Sequence, residues 1–123
     1  MRPETREWVS KAEGDFASLE REIRARKRPN PDAACFHAQQ CAEKYIKARL
    51  VEADIPFTKT HDLPQLLDRV LPVEPLWETE RAALRTLTVY AVAFRYPGES
   101  ATRQQARISY RYAAALRRIA RAA

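Results

Sequence analysis

The sequence predicts an all-α protein: an antiparallel bundle of four long helices with one additional short helix, in a single domain spanning residues 1–123. Three observations predict it. Long segments with apolar residues at helical spacing alternate with short clusters rich in Pro and Gly. No segment alternates apolar and polar residues beside turn chemistry, as a half-buried strand would. The connections between the long segments are short, which favours antiparallel neighbours.

The first helix is expected from Pro3 to about Arg26. Pro3 suits a first turn, and Glu4 and Glu7 complement the positive end of the helix dipole. Trp8, Ala12, Phe16, Leu19 and Ile23 form one apolar stripe, and Gly14 is a mild weakness within it. RKRPNP, Arg26 to Pro31, ends the helix and turns the chain. The second helix, Ala33 to Ala53, contains no Gly or Pro and is rich in strong helix formers, with Asp32 as its expected cap. Ala34, Cys35, Ala38, Cys41, Ala42, Tyr45, Ile46 and Ala48 share a broad apolar arc. His37, Gln40, Lys44 and Lys47 form a narrower polar stripe opposite. The small Ala and Cys residues suit close approach by neighbours, which marks this helix as the central one. Arg49 projects near the middle of the apolar arc, so it must snorkel or meet a carboxylate from another helix.

DIPFTKT then makes a loop, and a short helix follows from Leu63 to about Leu71, with Thr60 or Asp62 as its cap. LPVEP breaks the chain again. A fourth helix is expected from Leu76 to Phe94, with Trp77, Leu84, Leu87, Ala91 and Phe94 on one face. RYPGES ends it through Pro97 and Gly98. The last helix begins near Ala101, with Ile108, Ser109, Tyr112, Leu116 and Ile119 facing inward.

Composition excludes several function classes. The hydrophobic content of 46% fits a folded chain of 123 residues with a modest core. No run approaches a membrane span, and the charged opening MRPETREW lacks the apolar centre of a signal peptide, so no membrane role and a cytoplasmic location are expected. Cys35 and Cys41 lie six residues apart on one helix, about 9 Å along its axis, too far for a mutual disulfide. Reduced thiols fit that location. Two glycines cannot build a nucleotide-cradling loop. With two histidines and no CxxC or HExxH, no metal site and no cofactor are expected.

The net charge of +6 resides in the last segment, because residues 101–123 carry six Arg and no acid. Arg103, Arg107, Arg111, Arg117, Arg118 and Arg121 fall within an arc of about 120°, with Tyr110 among them. Such a face could hold phosphates and stack on a base. It could equally be a solvated face complementing the helix dipole, or dock an acidic protein. His37, Gln40 and Lys44 form a ligand-facing or partner-facing surface, or simply an ordinary hydrogen-bonded one. His61 and Asp62 read as a loop anchor or as site residues. Arg95 is the leading candidate: its guanidinium could fix a phosphate or carboxylate, or bond exposed carbonyls at a helix end, with Tyr96 beside it to stack or pack. No residue is assigned as catalytic from the sequence.

Three stretches in order, FHAQQCAEKYIKA (Phe36 to Ala48), KTHDL (Lys59 to Leu63) and RYPG (Arg95 to Gly98), resemble the HEPN domain family across nearly the whole chain. The resemblance implies a small helical protein of the bacterial and archaeal kind often encoded beside a minimal nucleotidyltransferase. Pairing into a homodimer is expected from the small size of the chain and its nearly all-round apolar second helix, and the resemblance implies it too; the second and fourth helices are the candidate interface. Many members are metal-independent ribonucleases that use an Arg followed four to six residues later by a His. Arg95 matches that Arg, but Ser100, Ala101 and Thr102 fill the positions of the His. The expected role is therefore a binding partner of a minimal nucleotidyltransferase in a toxin–antitoxin-type pair, with nucleotide or RNA contact. The alternatives are an endoribonuclease with an unconventional base and a structural protein-docking domain.

Overall fold

The second helix, α2 (Pro31–Glu52), is the axis of the computed structural model, which describes residues 1–123. It touches all four other α-helices: α1 (Pro3–Arg24), α3 (Leu63–Val70), α4 (Arg81–Ala93) and α5 (Arg103–Ala122). Thirteen of its 22 residues are buried, so it is covered on nearly every side. Its small residues explain how: Ala34, Ala38, Cys41 and Ala42 are essentially inaccessible and let the neighbouring helices approach closely. There is no strand, and no helix is long and apolar enough to cross a membrane.

Long-range polar contacts fix the directions of the helices. Glu52, at the end of α2, accepts from the Arg2 backbone N–H and the Thr5 hydroxyl, both at 2.9 Å, at the start of α1. α1 therefore runs antiparallel to α2. Arg49 pairs with Glu74, just ahead of α4, at 2.8 Å. The Ala101 N–H, in the segment between α4 and α5, donates to Asp32 at 2.7 Å. α4 thus also runs against α2. α5 returns alongside it, with the Ser109 hydroxyl on Cys35 Sγ at 3.4 Å. The four long helices run up, down, up, down, and one core draws on all of them and on α3.

Several local expectations needed correction. α1 ends at Arg24, and α2 starts two residues earlier than its cap was expected to allow. Asn30 caps it, its side chain accepting from the Ala33 N–H at 3.0 Å, with Pro31 in the first turn where no N–H is required. Asp32 is thereby freed to hold Ala101. At the other end, Asp54 adopts a left-handed conformation (φ 59°) and the Ile55 N–H returns to the Leu50 carbonyl at 2.9 Å, closing the helix. Of the two candidate caps of α3, Asp62 takes the role, as the Pro64 that follows favours, accepting from the Gln65 N–H. The expected fourth helix is divided: Pro75–Glu80 form a 3₁₀ helix, and the α-helix begins only at Arg81. The tighter winding buries Trp77 while leaving Leu76 82% exposed. Arg81, which forks between Glu78 and Asp68, marks the change of pitch.

Both cysteines are free and buried, and burial pushes the Cys41 thiol up to about 12. No buried side-chain polar atom lacks a hydrogen-bond partner.

Candidate functional site

Arg95 and Tyr96 lie just past α4, in the turn that leads to α5. The Phe94 N–H closes the helix on the Tyr90 carbonyl, and the Arg95 N–H reaches the Val92 carbonyl at 3.4 Å. Gly98 then takes a positive φ of 89°, a backbone state in which a Cβ would be strained. Arg95 is exposed, and its guanidinium engages no carboxylate or carbonyl of the protein. It therefore does not tie helix ends together and is free to meet a ligand. Tyr96 is 63% exposed. Val92 and Val89, four and seven positions before Tyr96 and three apart on one face of α4, are also exposed.

No histidine joins Arg95 from the following segment. Thr102 caps α5 and exchanges hydrogen bonds with Gln105 in a capping box, while Ala101 is held by Asp32. The positions where the resemblance would place a histidine serve instead as a helix junction.

The α2 residues singled out from the sequence divide into two groups. His37 Nδ1 and Lys44 Nζ both meet Asp15 of α1, at 2.9 and 2.6 Å, and Gln40 donates to Gln39 at 2.7 Å. His37 and Lys44 thus fasten α2 to α1; they do not line an open surface. Lys47, expected on the same stripe, is buried: its ammonium lies 2.9 Å from Glu43 and within 5.7 Å of the Trp8 and Phe57 ring centres. His61 sits on the other side of Glu43. Its Nδ1 is 2.8 Å from Glu43 Oε1, its carbonyl accepts from Gln39 at 2.9 Å, and its side chain is 69% exposed.

Glu43 is the centre of this second group. Burial opposes its charge, but bonds from Lys47, Gln39 and His61 win and hold the carboxyl below its usual range. The arrangement orients an imidazole by a buried carboxylate and leaves the opposite ring edge open to solvent. Leu63, two residues on, donates its N–H to Thr88 of α4 at 3.1 Å, so His61 is held on the α4 side of the molecule. Gln39 and Glu43 were missed as site residues. Their Gln–Glu–Lys spacing of four looks like a solvated helix ladder, and only the packing of the 53–62 loop over it makes it an interior cluster.

The arginine face of α5 also divides. Arg103, Arg107, Arg111 and Arg118 are exposed. Arg117 and Arg121 turn toward α1 and α2, where Arg117 forks onto Glu13 with both bonds at 2.7 Å. Its guanidinium also lies 4.5 Å from the Phe16 ring centre. Glu13 takes a further bond from the Tyr45 hydroxyl, and Arg121 approaches it at 3.6 Å. The Arg117 fork, more than any other cause, depresses the Glu13 carboxyl to about 2. Tyr110 corrects the expectation of an exposed aromatic among arginines: it is half-buried and stacks on Phe16, with ring centres 5.8 Å apart. No group of three or more His, Cys, Asp or Glu is gathered as a metal site would require.

Neither a curated protein nor a solved structure matches the chain. The family model of the HEPN domain matches residues 5–122, which takes in α1 through α5, both histidines and Arg95. On that match, and with the all-helical architecture it requires, the chain belongs to the HEPN domain family.

Proposed function

We propose that the protein is a cytoplasmic HEPN binding module that pairs with a second copy of itself and partners a minimal nucleotidyltransferase in a toxin–antitoxin-type pair, gripping a nucleotide or RNA phosphate through Arg95. The observation that carries this is the end of α4: an unengaged arginine and an exposed tyrosine, with no histidine in the segment that follows. Arginine stays protonated at neutral pH, so it can bind phosphate and stabilise charge but cannot move the proton that RNA cleavage requires. The exposed Val89, Val92 and Tyr96 supply an apolar face for another chain, with Phe36 also exposed on α2. The test is coexpression with a minimal nucleotidyltransferase, followed by copurification and light scattering. A stable complex that is weakened by Arg95→Ala at unchanged helicity supports the reading. A monomer at micromolar concentration that retains no nucleotidyltransferase refutes it.

A second reading draws support from the Glu43–His61 pair. A carboxylate-held imidazole with one open edge could supply the acid–base chemistry missing after Arg95, making the protein a metal-independent endoribonuclease. Purified protein incubated with structured and single-stranded RNA in chelator distinguishes the two. Cleavage abolished by both Arg95→Ala and His61→Ala establishes the enzyme; no cleavage leaves the binding module.

A further inference from the structure

The turn between α1 and α2 is basic in its own right, and the fold sets it against the start of α5. Between them lies a cleft of about 330 Å³ whose charged lining is Arg24, Arg26, Arg103, Arg107 and a single carboxylate, Glu22. Glu22 is already occupied by the Asn30 N–H at 3.1 Å. Arg24 makes only a loose 3.4 Å contact with Glu20 and is otherwise in solvent. Arg26, Arg103 and Arg107 are exposed and have no carboxylate partner. Lys27 and Arg28, at the tip of the turn, add to the same positive field.

Dipole complementation does not account for this cluster. A cation at the end of a helix is favourable, and that covers Arg24. Arg103 is the first residue of α5, however, where the helix end is itself positive and a cation is disfavoured. Four guanidinium groups from two segments remote in sequence therefore converge with no free carboxylate among them, which gives the cleft a positive field that attracts anions.

The shape of the charge beyond the cleft selects among anions. Exposed arginines continue along α5 through Arg111 to Arg118, so the track from Arg103 is on the order of 20 Å long. A free nucleotide would use one end of such a track, whereas a nucleic acid backbone can follow it. No exposed ring lies along it, since Tyr110 is committed to Phe16. Recognition here is of phosphates and not of bases. We propose that this cleft is the entry of a sequence-independent binding track for an RNA phosphodiester backbone, made jointly by the α1–α2 turn and α5. The proposal rests on the RNA-contact part of the function above but not on Arg95.

The experiment measures anisotropy of a fluorescent 20-nucleotide single-stranded RNA over a salt series, with ATP and polyglutamate as competitors. Wild type is compared with Arg26→Gln/Arg103→Gln/Arg107→Gln and with Arg95→Ala. The cleft variant should keep its helicity, bind RNA at least about tenfold more weakly, and show a salt slope shallower by about 2. ATP at the same phosphate concentration should compete poorly, and RNAs of different sequence should bind alike. Unchanged RNA affinity in the folded cleft variant overturns the proposal, as does displacement of RNA by ATP at matched phosphate. Polyglutamate that competes as well as RNA overturns it in favour of an acidic protein ligand. If RNA binding is lost in Arg95→Ala and kept in the cleft variant, this inference fails while the Arg95 reading stands. The opposite pattern separates them the other way.

Discussion

Glu13 gives the sharpest quantitative test of the packing. Its carboxylate joins α1 to α5 through the Arg117 fork and to α2 through Tyr45. Glu13→Gln keeps the shape, removes the charge and turns a donor toward a guanidinium that can only donate. The fall of the carboxyl from 4.5 to about 2 corresponds to about 3 kcal/mol at roughly 1.4 kcal/mol per pH unit. A third of the Glu13 side chain is exposed, so solvent screening reduces this to about 1.5–2 kcal/mol. In a domain of this size that lowers Tm by roughly 5–8 °C. The sign with pH follows from the depressed value: the contribution is complete above 4.5 and declines as pH falls toward 2. The difference between wild type and Glu13→Gln should therefore shrink to less than about half by pH 3. Urea and thermal unfolding by circular dichroism at pH 7 and pH 3 measure both quantities. A variant with wild-type Tm at pH 7, or a deficit that does not shrink in acid, would refute the assignment.

Other perturbations address separate parts of the molecule. Glu43→Gln strands the buried Lys47 ammonium and should cost about 3 kcal/mol, whereas Glu43→Leu/Lys47→Met should recover most of that loss in urea melts. Thr102→Ala removes the α5 capping box and should lower stability by about 1 kcal/mol without changing the far-ultraviolet spectrum. Val92→Asp places a charge on the exposed α4 face; it should leave Tm nearly unchanged while light scattering shows loss of the self-paired form.

The helices were legible because they depend on periodicity, which one sequence contains in full. Leu19, Ile46, Leu84 and Leu116 all sit on the faces read for them and are buried. What could not be read was which edge of a face meets which neighbour. The arginine arc of α5 is continuous on a helical wheel, yet Phe16 and Glu13 capture its Tyr110–Arg117–Arg121 edge and leave Arg107, Arg111 and Arg118 in solvent. Lys47 was misread for a similar reason: Trp8 and Phe57 close over it, and the position of Phe57 depends on a loop with no periodicity. The division of the fourth helix depends on a change of pitch that apolar spacing alone does not encode. Of the candidate site, Arg95 and Tyr96 were readable from the Pro–Gly stop signal. The Glu43–His61 pair was not, because it joins residues 18 apart across a loop.

A helix enclosed by four others cannot open alone. Fraying α5 would uncover one flank of α2, and releasing α3 another, but the amides from Ala38 to Leu50 remain shielded by the rest. Their exchange with deuterium therefore requires unfolding of the entire domain, and their protection reports its global stability. α3, eight residues long and held to α2 by one side, should exchange through smaller openings. Motions at the Arg95 turn and at the α1–α2 turn, where the unpaired arginines are, can then proceed around a rigid axis.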